Sequence, residues 1–148
     1  MTRVIGLRVF ARVGLMIAIG GLVAAAYAIS VTNSAAAGQT ACRGVNATIV
    51  GTSGSDKIEG TGGRDVIVAK GGADDIEGRG GNDLICAGAG NDHAEGDSGN
   101  DTILGGRGND TLEGKSGRDV LNGGPGFDKG QGGPGDDSCV KIERMESC

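Results

Sequence analysis

The chain has 148 residues, which sets one domain as the starting expectation. It holds 32 glycines, no tryptophan, one tyrosine and two phenylalanines, which excludes a conventional core of large apolar side chains. Beyond residue 37 eleven bases face nineteen acids, a balance of −8 that argues against a nucleic-acid phosphate partner and suits cations.

In chain order, Met1–Ala37 differs from everything after it. Arg3, Arg8 and Arg12 form a basic start, Val13–Ile29 is an uncharged apolar run, and Ala35-x-Ala37 fits a signal-peptidase site. A second small-residue site is Ala26-Tyr27-Ala28. The polar stretch Ser30–Ser34 between apolar run and cut favours cleavage after Ala37. The competing reading is an uncleaved anchor, because ~20 apolar residues span a bilayer. The expectation is a signal peptide over 1–37 and a secreted mature chain that does not span the membrane. Residues 38–50 follow as an N-terminal cap: Ala47-Thr48-Ile49-Val50 has a strand pattern without the loop residues described below.

From Gly51 to Val140 the chain divides into ten rows of nine residues with no insertion or deletion. The fourth column is glycine in every row, from Gly54 to Gly135. The sixth is always aspartate: Asp56, Asp65, Asp74, Asp83, Asp92, Asp101, Asp110, Asp119, Asp128 and Asp137. The eighth is Ile58, Ile67, Ile76, Ile85, Ala94, Ile103, Leu112 and Leu121, then Gly130 and Cys139. The first is glycine except at Ala69 and Ala87. A period this strict marks a stacked repeat array.

Each column has a physical use. Glycines three apart suit a tight loop with exposed carbonyls. A hard cation takes six to eight oxygens from carboxylates and carbonyls. One loop with one aspartate cannot complete that shell, whereas stacked loops can. The last three columns, such as Thr102-Ile103-Leu104, read as a short strand whose middle residue points inward. Rows nine and ten lose the aliphatic residue and read as a decaying C-terminal cap, with 141–148 as a tail.

The pattern Gly-Gly-x-Gly-x-Asp-x-aliphatic-x resembles the RTX, or haemolysin-type, calcium-binding repeat, and more closely the small exported members of that family from Gram-positive actinobacteria. The resemblance covers residues 51–140. It implies an all-β, right-handed parallel β-roll with two rows, or 18 residues, per turn. It also implies Ca²⁺ held between each loop and the loop two rows later. Carried over by residue, the aspartate pairs are 56/74, 65/83, 74/92, 83/101, 92/110, 101/119, 110/128 and 119/137, giving up to eight interloop sites.

Cys42, Cys86, Cys139 and Cys148 are an even set, and an exported chain favours two disulfides. Three pairings are open. Nearness in sequence favours Cys139 with Cys148, which leaves Cys42 with Cys86. Zinc fits poorly, since there is no Cys-x-x-Cys and His93 is the single histidine.

Other readings fail on spacing. Collagen needs glycine at every third position. An EF-hand needs its own twelve-residue acidic pattern. His93 falls in the outward seventh column, and Glu59, Glu77, Glu95 and Glu113 recur at every other row of the ninth column as an acidic stripe, read as a solvated face. The flanks 38–50 and 141–148 are too short for a catalytic domain. The sequence therefore predicts a non-enzymatic extracellular calcium-binding roll that folds on binding. The alternative is a calcium-dependent adhesion or targeting module.

Overall fold

The computed structural model describes residues 41–148. The expected signal peptide, 1–37, and residues 38–40 of the expected cap lie outside them. Columns seven to nine of each row form a short strand. In odd rows these are β4 (Lys57–Glu59), β6 (Asp75–Glu77), β8 (His93–Glu95), β10 (Thr111–Glu113) and β12 (Lys129–Gln131). In even rows they are β5 (Val66–Gly71), β7 (Leu84–Ala89), β9 (Thr102–Arg107), β11 (Val120–Asn122) and β13 (Ser138–Val140). β3 (Ile49–Val50) precedes these strands and β14 (Arg144–Glu146) follows them. Successive strands alternate between two six-stranded sheets, one of order β14-β12-β10-β8-β6-β4 and one of order β13-β11-β9-β7-β5-β3.

Every pairing within the two sheets is parallel, and Ile58 lies opposite Ile76 as Ile85 lies opposite Ile103. The fold is therefore an all-β solenoid of about five turns, each about 18 residues long. Among the described residues there is no helix long and apolar enough to cross a membrane.

The eighth column builds the interior. Ile67, Ile76, Ile85, Ala94, Ile103, Leu112 and Leu121 are fully buried between the sheets, together with Ala69 and Ala87 from the first column. Fully burying one such aliphatic side chain contributes roughly 1.5–3 kcal/mol. The strands are short and the core is one side chain wide, so little apolar area is spent per residue. Gly130 leaves a gap in row nine, and Ile142, only 5% exposed, fills it. Residues 141–148, expected as a tail, add β14 to the first sheet, with Met145 opposite Gly130.

A second apolar cluster lies outside the roll. β1 (Ala41–Cys42) and β2 (Val45–Asn46) form an antiparallel hairpin. Cys42 packs with Val66, Val68 and Leu84 on the outer face of the second sheet and is bonded to Cys86 of β7. At the other end Cys139 is bonded to Cys148. The cap thus contributes β3 to the sheet and a hairpin over its face.

Candidate metal centre

The strands are joined at the corners by the Gly-x-x-Gly-x-Asp loops, and the loops stack as closely as the strands. At Gly90, where φ is +141°, an added Cβ would fall on the carbonyl oxygen of Gly72 in the turn below. No side chain fits there. This close approach aligns the aspartates of successive turns into two files.

All eight expected aspartate pairs are brought together, and the contact is the same each time. Oδ1 of the later residue accepts the backbone N–H of the earlier one. Asp74 accepts from Asp56 at 2.8 Å, Asp83 from Asp65 at 2.7 Å, Asp92 from Asp74 at 2.9 Å and Asp101 from Asp83 at 2.8 Å. Asp110, Asp119, Asp128 and Asp137 continue the series at 2.8–2.9 Å. At the C-terminal end the next acceptor is a glutamate: Glu143 Oε2 takes the N–H of Asp128 at 2.8 Å.

The second carboxylate oxygen divides the aspartates. In Asp74, Asp83, Asp92, Asp101, Asp110, Asp119 and Asp128, Oδ2 is buried and has no hydrogen-bond partner. Asp56 and Asp65 differ, since Oδ2 there accepts the N–H of Thr52 at 2.6 Å and of Thr61 at 2.7 Å. Asp137 is half-buried.

One unsatisfied buried polar group costs about 1–3 kcal/mol, and a charged one more. Six of the seven aspartates resist ionisation. Burial pushes the carboxyls of Asp101 and Asp110 up to about 6; the backbone N–H each accepts opposes the shift, and the aspartate one turn back adds to it. Burial raises Asp74, Asp83, Asp92 and Asp119 in the same direction.

The donors around these oxygens are hard. A Cβ built on Gly78 would lie 2.7 Å from Asp83 Oδ2 and 2.8 Å from the carbonyl oxygen of Gly96. A carboxylate oxygen and a carbonyl oxygen of the next turn therefore converge on space that the first-column glycine leaves open. A hard divalent cation is suited by oxygen donors of this kind, and the orphaned charge fits it.

Column five holds a ladder that the sequence reading passed over. Asn82 Oδ1 accepts the N–H of Asn100, Asn91 that of Asn109, Asn100 that of Arg118 and Asn109 that of Phe127, at 2.8–2.9 Å. Four consecutive asparagines in that column were its visible signal. The acidic stripe is threaded by bases. Lys57 lies within 3.8 Å of Glu59, Asp75 and Glu77, Arg79 pairs with Glu59, and Lys115 joins Glu95 at 3.5 Å to Glu113 at 2.6 Å. His93 sits half-exposed beside Glu95 at 3.0 Å.

Comparison with known families matches the RTX calcium-binding nonapeptide repeat in four copies, at residues 46–76, 59–94, 87–121 and 95–129. Comparison with the curated proteins finds no match.

Proposed function

This chain belongs to the RTX calcium-binding nonapeptide-repeat family, and from that premise we propose that it is an exported, non-enzymatic protein whose roll folds on binding Ca²⁺. The observation that carries the reading is the set of seven buried, unpartnered Oδ2 atoms. Asp74, Asp83, Asp92, Asp101, Asp110, Asp119 and Asp128 would hold the ions, with carbonyls of the glycine loops, and Asp56, Asp65 and Asp137 stand at the ends of the files. Bound calcium supplies positive charge to oxygens that otherwise remain unpaired.

The chain's own part is to position those oxygens. The N–H of the previous turn fixes each Oδ1, which leaves Oδ2 aimed into the loop. The column-five ladder holds the loops in register, and column eight closes the thin core. With so little core, binding free energy becomes folding free energy. Two disulfides favour an oxidising, extracellular setting. Calorimetric titration of the chain with calcium tests the proposal. Saturable uptake of several ions is expected, and no uptake at millimolar calcium would overturn it.

A calcium-dependent adhesion or targeting module is a second reading. Val120 and Val140 stay exposed on the outer face of the second sheet beyond the hairpin. Calcium-dependent sedimentation with an envelope fraction, lost when both are changed to serine, would favour it.

A further inference from the structure

We propose that Thr52 and Thr61 close the first two loops without a metal, so that ion binding begins only at the third row. The inference rests on reading the orphaned Oδ2 atoms as cation ligands, and it concerns which of ten apparently equal loops lack one.

The first two loops differ from the rest in backbone conformation. In rows three to ten the second column takes a left-handed backbone throughout. Its φ is +83° at Lys70, +73° at Arg79, +121° at Gly88, +70° at Asp97, +111° at Gly106, +70° at Lys115, +103° at Gly124 and +101° at Gly133. Thr52 and Thr61, which fill this column in rows one and two, are not among the positive-φ residues. A β-branched side chain is strongly disfavoured there, because its two γ substituents crowd the backbone. Gly54 and Gly63 also stay out of the left-handed region, which Gly72, Gly81, Gly90, Gly99, Gly108 and Gly117 occupy. Gly126 in row nine also stays out of it although Gly124 at +103° is within it, so the second-column torsion is what sets the two threonine loops apart.

The altered loop supplies its own donors. Thr61 N–H and Oγ1 both reach Asp65 Oδ2, at 2.7 and 2.9 Å. Thr52 N–H and Oγ1 reach Asp56 Oδ2 at 2.6 and 3.1 Å. Each hydroxyl also accepts from the fourth-column N–H, of Gly54 at 3.1 Å and of Gly63 at 3.2 Å. Asp65 is as buried as the aspartates that follow it, at 5% exposure, yet its Oδ2 is satisfied. Burial alone therefore does not create the orphan; the second-column residue decides. The first orphan is Asp74. Rows one and two then form a platform already hydrogen-bonded, on which the first open loops stack through the Asp56 and Asp65 amides.

The test is the calcium count of the full chain by calorimetric titration. Thr52→Gly with Thr61→Gly is expected to take up one or two more ions than the parent. An unchanged count in a variant that folds in calcium would overturn the proposal. A second variant, Asp56→Asn with Asp65→Asn, keeps acceptors for the threonines and removes the charge. Its count is expected to equal the parent's, and a loss of one or more ions would overturn the proposal even if the glycine variant fails to fold. Absence of any uptake by the parent would instead overturn the calcium reading on which both rest.

Discussion

The ends and the middle of this roll share one repeat and differ in how its polar groups are satisfied. At the N-terminal end Thr52 and Thr61 close the loops of Asp56 and Asp65. At the C-terminal end Glu143 takes the Asp128 amide and Ile142 fills the space beside Gly130. Each end also carries a disulfide. In between, the seven aspartates from Asp74 to Asp128 keep one buried oxygen each without a partner. The chain satisfies these groups itself at the ends, whereas in the middle it does not, and the proposed function assigns that role to calcium.

The largest effect should come from breaking the middle. Asp83→Ala with Asp101→Ala removes one buried, unpartnered carboxylate oxygen from each of two successive turns in the same file. Loss of calcium-induced strand signal at concentrations that saturate the parent is expected in far-UV circular dichroism. A variant that folds like the parent would show that the files are not needed.

The ends can be broken by chemistry. Cys42–Cys86 closes a 44-residue separation and Cys139–Cys148 a 9-residue one. Loop-closure entropy then gives about 4 and about 2.6 kcal/mol respectively. Denaturant titration in saturating calcium should show Cys42→Ala with Cys86→Ala as the more costly pair, and the reverse order would contradict the chain-entropy account.

Acid sharpens the comparison from the other side. Asp101 and Asp110 are raised to about 6 in the folded chain, above the ordinary carboxylate value near 3.8. The roll then binds more protons than the unfolded chain between these values. The stability these two carboxyls contribute without metal is present in full below about pH 4 and is lost as pH rises through about 6. In chelator, strand content should increase as pH falls from 8 to 5, while calcium affinity weakens over the same interval. Metal-free strand content that falls with acid would contradict the burial of these carboxyls.

The smallest effect concerns register. Asn100→Ala removes the acceptor for the Arg118 amide at an exposed position. A loss of about 0.5–1.5 kcal/mol in calcium-saturated stability is expected from one hydrogen bond. A loss above 3 kcal/mol in the same denaturant titration would mean the asparagine ladder does more than hold register.

Much of this was legible in the sequence because a nine-residue period maps directly onto geometry. The aspartate and glycine columns, the inward Ile and Leu residues and the alternation of loop and strand follow from spacing. Less visible was what depends on two rows making one turn. Even rows carry Val66, Val68 and Leu84 outward beneath the hairpin, whereas odd rows carry Lys57, Glu59, Asp75 and Glu77. Columns read down all ten rows average these faces together. The threonine loops were hidden because Gly and Asp match there perfectly; the two threonines of the second column were the visible signal, and their hydrogen bonds to Asp56 and Asp65 were not. Ile142 and Glu143 were hidden because the tail steps 15 residues where the array steps 18.

The most direct measurement is far-UV circular dichroism of the chain at neutral pH, first in excess chelator and then in millimolar calcium. The account predicts little strand signal without calcium and a cooperative gain on adding it, reversed by more chelator. The same strand signal in both conditions would contradict the claim that the middle of the roll is completed by calcium.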